Sequence, residues 1–123
     1  MQTLYRRKIL TQATSGAISK VPAMKYIAIG TGGIDDDGNV KTTFETQTEL
    51  YNEIAKYQIY SIEYPVETTA RYSVIIAEND LVGERISEIG LFDEDNNLCA
   101  IKTMYEKVKD DAILFEFTFD DEF

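Results

Sequence analysis

The sequence predicts an α+β domain, built on a mostly antiparallel β-sheet of five or six strands with two short helices. Three observations support this fold class. Apolar and polar residues alternate over several short segments, as they do in strands that bury one face. Tyrosines and β-branched residues, which favour strands, are frequent in the central segments. These segments follow one another closely and are joined by short polar turns, which favours antiparallel pairing between neighbours in the chain.

The clearest element is a β-hairpin over Gly83–Met104. An apolar run at Ile86–Phe92 meets a polar turn at Asp93–Asn97, and a second apolar run begins at Leu98. Aspartate and asparagine suit tight turns because they hydrogen-bond their own backbone and tolerate left-handed conformations. We expect a bulge near Gly90, because a bulge there would bring more apolar side chains of the first run to one face.

Other strands are predicted on both sides of this hairpin in the chain. The segment Met24–Gly30 has apolar residues on both faces, which predicts a central position in the sheet. Pro65 should end regular pairing or mark an edge strand, because proline has no backbone N–H to donate. The alternating pattern predicts the remaining strands at Tyr57–Val66, at Arg71–Glu78 and, after a loop at Glu106–Asp111, at Ile113–Phe119.

Two helices are predicted from capping signals. Thr11 is expected to cap a short helix over Gln12–Lys20, whereas the segment before it is compatible with helix or strand. A second helix is predicted over Gln47–Lys56, because Thr46 and Glu49 fit a capping box and a one-sided apolar stripe follows. This second helix is expected to face the core.

Composition limits the functions that the chain can perform. Its 123 residues suit a single domain, divided into a basic segment over residues 1–25 and a sheet-based core over residues 26–123. There is no histidine, the commonest general base and the usual zinc ligand, so we expect neither an enzyme nor a cofactor. Cys99 is the only cysteine and is expected to be a small buried apolar side chain. No apolar run approaches the ~20 residues of a membrane helix.

Charge is unevenly distributed along the chain. The net charge is −10, which makes nucleic acid a poor partner. Residues 1–25 contain five basic residues and no acid, so the remaining residues carry −15. The basic residues, with Arg6, Arg7 and Lys8 adjacent, either form a solvated arm or contact an acidic surface on the same fold or on a neighbouring subunit.

A glycine-rich loop follows the central strand. Gly30, Gly32 and Gly33 match neither a P-loop nor a dinucleotide fingerprint, and three aspartates follow them. The acidic segments that begin at Asp35 and Asp93 alternate like the start of a calcium loop, but both lack its glycine at position six and its glutamate at position twelve. We therefore interpret both segments as solvated turns.

Glu88 is an acid within an apolar strand, and two interpretations of it are open. Its carboxylate either points outward into solvent or serves as a fixed hydrogen-bond acceptor. In the second case, the backbone amides of the glycine-rich loop would be the donors.

Four blocks of sequence occur in an order that resembles a known family. They are I-L-T from Ile9, Y-I-A-I-G-T-G-G at Tyr26–Gly33, T-Q-T-E-L-Y-N-E-I at Thr46–Ile54, and I-S-E-I-G-L-F-D-E-D-N-N-L-C-A-I at Ile86–Ile101. Together they resemble the amino-terminal region of phage tail-collar and tail-fibre proteins. Thr31 stands where that family usually has an acid, and Gly83 stands where a pair of glycines is common.

The resemblance implies a virion structural protein that acts by docking, at the tail collar, the fibre attachment or the baseplate of a phage or prophage. It implies other tail or baseplate proteins as partners, a homo-oligomer such as a trimer, and a location in the virion tail, or in the host cytoplasm during assembly. Family members usually continue into a shaft and receptor-binding tip, whereas this sequence stops after the domain, so attachment is expected rather than host recognition. The candidate docking or structural residues are Arg6, Arg7, Lys8, Gly30, Gly32, Gly33, Glu88, Gly90, Phe92 and Asp93.

Two other functions stay open at this level. The many tyrosines and the acidic turns are also compatible with a small module that binds a glycan or another ligand. Aspartates and glutamates are abundant enough for a glycosidase-like pair, about 5–9 Å apart, to arise by chance. Nothing in the sequence singles out one such pair.

Overall fold

The computed structural model describes residues 1–123 and contains one helix and seven strands. In chain order the elements are α1 (Leu4–Thr14), β1 (Met24–Gly30), β2 (Glu53–Gln58), β3 (Ser61–Val66), β4 (Thr69–Ile76), β5 (Arg85–Asp93), β6 (Leu98–Val108) and β7 (Phe115–Glu122). One sheet has the order β2-β1-β5-β6, the other has the order β3-β4-β7, and every pairing is antiparallel. The mostly antiparallel fold is confirmed. The expected counts are wrong, because the strands number seven in two sheets and the helix is single.

The predicted hairpin is confirmed as β5 and β6, which pair across the turn at residues 93–97. The pairing shifts register twice, between Ile86 and Glu88 and between Leu91 and Phe92. Gly90 itself pairs regularly with Ile101, so the bulge expected near Gly90 is displaced to both sides of it. The first shift has the expected effect, since it places Ile86 in the same buried cluster as Leu91.

Strand β1 lies between β2 and β5, which confirms the predicted central position. Its two faces contribute to two separate apolar clusters. Ile27 and Ile29 belong to the larger cluster, which the two sheets enclose with side chains from β4 and β7. Ala28 belongs to a smaller cluster on the other face of the four-stranded sheet, where Leu50 covers it. The glycine-rich loop lies at the same face as this second cluster.

The helix expected over Gln12–Lys20 is placed wrongly. Helix α1 begins at Leu4, and its N-cap is Thr3 rather than Thr11. The hydroxyl of Thr3 accepts from the amide of Arg6 at 3.3 Å and donates to the carbonyl of Leu98 on β6 at 2.7 Å. The start of this helix could not be predicted from the sequence, because Thr3 is held in place by its hydrogen bond to Leu98, 95 residues later in the chain.

The second predicted helix, over Gln47–Lys56, is absent. Residues 45–46 form a turn, residues 48–49 and 51–52 form bends, and β2 then begins at Glu53. The physical reason is that the amides of Tyr51 and Asn52 donate to the side chain of Glu88 instead of to carbonyls one helical turn earlier. A tertiary acceptor therefore takes amides that the predicted helix would have bonded within itself.

The strand expected over Tyr57–Val66 is divided into β2 and β3, which belong to different sheets. The chain crosses between the sheets at Ile59 and Tyr60. The prediction for Pro65 is confirmed, because β3 is an edge strand. The last strand begins at Phe115, so Ile113 lies outside it and is exposed, whereas Phe117 and Phe119 are buried as expected.

The loop expected over Glu106–Asp111 starts later, because β6 continues to Val108. The next residue, Lys109, is fully buried, and its Nζ donates to the carbonyls of Glu78 at 2.8 Å and Asp110 at 2.9 Å. This ammonium therefore ties the β4–β5 connection to the β6–β7 connection. Nothing in the sequence indicated that Lys109 would be buried, because lysine is almost never fully buried and the carbonyls that bind it here come together only in the folded chain.

Residues 1–3 cover part of the outer edge of β6. The carbonyl of Met1 accepts from the amide of Ile101 at 3.0 Å, and the amide of Thr3 donates to the carbonyl of Cys99 at 3.0 Å. The start of the chain thus adds a short strand-like segment to the four-stranded sheet and leads directly into α1. That helix lacks the length and apolar character needed to cross a membrane.

Replacing Thr3 with valine should lower the free energy of unfolding by about 1–3 kcal/mol, because the shape is kept while the cap and a buried hydrogen bond are lost. Urea unfolding followed by circular dichroism measures the loss. Thr3→Ser keeps the hydroxyl and should cost less than half as much. A valine variant as stable as the parent would contradict the assigned role of the hydroxyl.

Candidate functional site

Glu88 lies at the centre of the residues that the sequence singled out. Its side chain is fully buried, and its two oxygens accept from three backbone amides: Gly32 at 2.8 Å, Tyr51 at 2.8 Å and Asn52 at 2.7 Å. The interpretation of Glu88 as a fixed acceptor is therefore confirmed, and the solvent-facing one is wrong. Strand β5 presents this carboxylate next to Gly30 of β1, its cross-strand neighbour.

The three loop glycines allow the backbone to approach β5 closely. A Cβ on Gly30 would lie 2.6 Å from Cγ of Glu88, and one on Gly33 would lie 2.1 Å from the carbonyl oxygen of Ser87. Atoms cannot approach so closely, and the second obstacle is backbone that cannot rotate away. A Cβ on Gly32 would meet the side chain of Tyr51 at 2.7 Å. None of the three has a positive φ, so close approach rather than turn geometry explains them.

The loop has a second anchor beside the carboxylate. The amide of Gly33 donates to the hydroxyl of Ser87 at 2.8 Å, and the carbonyl of Gly33 accepts from the amide of Lys41 at 2.8 Å. The carbonyl of Lys41 in turn accepts from the hydroxyl of Thr103 on β6 at 2.7 Å. These bonds hold the glycine-rich loop and the chain after it against one face of the sheet.

Gly90 and Phe92 belong to the apolar cluster on that same face. A Cβ on Gly90 would come within 2.8 Å of the methyl ends of Leu50 and Leu98, so the glycine makes room for both. Phe92 is buried in the cluster, and the Nζ of Lys56 lies 3.7 Å from the centre of its ring. Both residues therefore pack the segment that follows the loop against β5.

Asp93 organises the hairpin turn and joins it to α1. Its Oδ1 accepts from the amides of Asp95 and Asn97, both at 3.0 Å, and its Oδ2 accepts from the hydroxyl of Tyr5 at 2.8 Å. Burial and this bond raise the pKa of Tyr5 to about 12. Burial, with the Asp93 charge nearby, also raises the pKa of the Cys99 thiol to about 12, so the thiol is protonated at neutral pH. The expected burial of Cys99 is confirmed.

The other acidic segment forms the same kind of turn. Oδ1 of Asp35 accepts from the amides of Asp37 and Asn39, both at 2.9 Å, as Oδ1 of Asp93 does for the residues two and four positions on. A residue with positive φ occupies the fourth position in each case, Gly38 in one and Asn96 in the other. Both leading aspartates thus fold their own turns. The structure contains no cluster of three or more side chains that could hold a metal ion.

Part of the basic segment contacts acids of the same fold. Arg6 is buried and pairs with Asp121 of β7, with Nη2 and Oδ2 3.0 Å apart. Arg7 pairs with Glu45 at the surface, while Lys8 is exposed. Of the two interpretations of this segment, contact with an acidic surface is confirmed for both arginines. Nε and Nη1 of Arg6 are buried without a hydrogen-bond partner, and the guanidinium lies 5.2 Å from the centre of the Phe123 ring.

The site is therefore a hydrogen-bonded junction. Sequence reasoning identified its acceptor and its glycines but missed the donors Tyr51 and Asn52 and the hydroxyl of Ser87, because a helix was predicted over the first two. In comparisons with known proteins, no protein-family model matches the chain, and no curated protein matches it. The carboxylate of Glu88 accepts three amides of its own chain and so holds three segments together.

Glu88→Ala should lower the free energy of unfolding by roughly 3–5 kcal/mol, because three amides lose their charged acceptor inside the protein. Glu88→Gln should cost roughly 2–3 kcal/mol, since its NH₂ group then faces at least one amide donor. Equilibrium urea unfolding measures both. Glu122→Gln, an exposed acid on β7, is the matched control and should change stability by less than about 0.5 kcal/mol. A Gln variant as stable as this control would contradict the junction.

Proposed function

We propose that this protein is a structural component of a phage or prophage tail, which attaches a fibre or adapts a baseplate by docking to other tail proteins. One observation carries the proposal. Three of the four blocks that resemble tail-collar and tail-fibre proteins converge on the carboxylate of Glu88: the I-G-T-G-G loop, the E-L-Y-N-E segment and the E-I-G-L-F-D strand.

This convergence supports the resemblance because the blocks are far apart in the chain. The amides of Gly32 and Tyr51 reach a carboxylate 56 and 37 residues later. Short motifs that match separately carry little weight, whereas motifs that complete one another's hydrogen bonds behave as one structural unit. The likeness in sequence would then reflect a shared junction that holds the domain together.

The distribution of charge supports docking rather than nucleic-acid binding. Arg6 and Arg7 are engaged with acids of the same chain, whereas the chain as a whole carries −10. An acidic outer surface repels phosphates and favours partners with basic surfaces. We therefore expect the partners to be tail or baseplate proteins that present basic surfaces.

Co-expression with tail and baseplate proteins of the same phage or prophage should yield a complex that survives affinity purification and size exclusion. Because acidic and basic surfaces would contribute, the complex should weaken between about 0.05 and 0.5 M salt. An unrelated acidic protein of similar size and isoelectric point is the control for charge alone. Failure to capture any of these proteins, even at low salt and with each in excess, would contradict the tail assignment.

A second candidate function has one observation in its favour. Tyr60 is 56% exposed, and its hydroxyl donates to the carboxylate of Glu116 on β7, which raises the pKa of the phenol. Tyr64, 72% exposed, lies on the neighbouring strand β3. Exposed aromatic rings beside a carboxylate suit sugar rings, which stack on aromatics and hydrogen-bond to acids. We keep a small glycan-binding module as the alternative.

Glycan-array screening separates this alternative from the first. If sugars bind at this place, Tyr60→Ala should abolish the signal, while Tyr105→Ala should leave it unchanged. Tyr105 is 75% exposed and makes no such bond, so it is a matched control for losing an exposed ring. An array without hits, or equal loss in both variants, would remove the alternative.

A further inference from the structure

Residues 1–18, called the arm below, lie on the fold without an apolar anchor. Only Thr3 and Arg6 of the arm are buried, and both side chains are polar. No side chain of the arm belongs to either apolar cluster or packs against one. A helix in a protein is held mainly by the packing of an apolar face, so α1 lacks the contribution that usually keeps a helix in place.

Polar contacts hold the arm in place instead. Its backbone bonds to β6 and to the carbonyl of Glu45, and its side chains bond to three acids of the fold, Asp93, Asp121 and Glu45. Each such contact contributes much less than its gross strength, because water replaces the partner when the contact opens. The arm is therefore held by contacts that solvent can replace.

Arg6 makes the closed position of the arm costly. Its Nη2 pairs with Oδ2 of Asp121 at 3.0 Å, whereas Nε and Nη1 are buried without a hydrogen-bond partner. Buried donors without acceptors cost free energy, because water satisfied them before burial. Lifting the arm returns the whole guanidinium to water and removes this cost.

Residues 19–22 connect the arm to β1 and are suited to be a hinge. They make no backbone hydrogen bond and a single exposed ion pair. On one side of them, the amide of Ile18 still bonds to the carbonyl of Gln12 in α1, so the turn after the helix moves with it. On the other side, the carbonyl of Ala23 accepts from the amide of Glu94 at 2.8 Å, which fixes the start of β1 independently of the arm.

We propose that the arm opens as a unit about residues 19–22 while both sheets stay folded. Opening frees backbone groups at the edge of β6, since the carbonyl of Cys99 loses the amide of Thr3 and the amide of Ile101 loses the carbonyl of Met1. In the open state β6 becomes an edge onto which a strand can add. This device does not depend on the tail assignment.

The thiol of Cys99 reports the opening, because the arm encloses it. Its Sγ lies 3.7 Å from Oδ2 of Asp93, the same oxygen that accepts from the hydroxyl of Tyr5. Oγ1 of Thr3 lies 3.3 Å from the carbonyl oxygen of Cys99. Burial raises the pKa of this thiol to about 12, so a reagent that needs the thiolate reacts with it only when the arm is open.

Hydrogen exchange of the full chain tests whether the arm opens as a unit. The amides of Arg7 within α1 and of Ile101, which donates to the arm, should have protection factors that agree within about threefold. Both should be at least about 100-fold below those of β1 and β5, whose amides exchange only when the sheets unfold. An arm as protected as these strands, or rapid exchange of Ile101 alone, would overturn the proposal.

Thiol labelling measures the same opening by a second route. Thr3→Val removes the cap and the bond to Leu98, so it should raise the rate at which iodoacetamide labels Cys99 about tenfold. Ile76→Val is the control, because it weakens the core at the end of β4, whereas Asp121 pairs near the start of that strand. The control should change the labelling rate by less than about twofold, since it destabilises the sheets and not the arm. Urea midpoints verify that both variants fold.

The outcomes separate an arm that opens by itself from one that unfolds with the sheets. Equal acceleration by both variants means that Cys99 is labelled only through global unfolding, and no acceleration by Thr3→Val means that the arm does not enclose the thiol. Either result overturns the proposal. Neither measurement involves a tail protein, so the opening of the arm and the tail assignment fail separately.

Discussion

The structure depends on a buried carboxylate whose charge is matched by hydrogen bonds. Removing an ionised carboxylate from water is costly unless donors replace the water, and Glu88 finds three backbone amides within 2.8 Å. The amides belong to the glycine-rich loop and to residues 51–52, and without Glu88 they would lose this acceptor. The glycines at 30 and 32 follow from the same constraint, because a side chain at either would occupy the space that the carboxylate and its donors need, whereas Gly33 lets the loop approach the backbone of Ser87.

This constraint also explains where sequence reasoning succeeded and where it failed. The β5–β6 hairpin, the central β1 and the burial of Phe117 and Phe119 could be predicted, since alternation and turn residues are local signals. The helix over residues 47–56 could not be rejected from the sequence. Its capping signals are genuine, but the amides that it required are committed to Glu88, and only the folded chain reveals that competition.

The start of the chain shows a related limit. Its basic residues suggested contact with acids, yet nothing local indicated that Thr3 would cap a helix while bonding to β6, or that Arg6 would be buried against Asp121 near the other end of the chain. A buried ion pair is weak evidence for stability, because desolvation offsets much of the attraction. Its clearer effect is positional: breaking it would leave one uncompensated charge between α1 and β7, so the pair fixes how the helix lies.

The four sheet edges differ in how well they are protected against the addition of a further strand, and charge accounts for most of the difference. Residues 1–3 cover part of β6, β2 carries the Glu53–Lys56 ion pair, and β7 presents Glu116, Asp120 and Glu122. Charged edges resist the addition of strands, and at −10 the whole chain resists its own copies. Strand β3 is the exception, because Glu63 is its only charged residue and its apolar side chains Ile62, Tyr64 and Val66 are exposed. Because charge or a covering segment protects the other three edges, β3 is the edge least protected against the addition of a further strand.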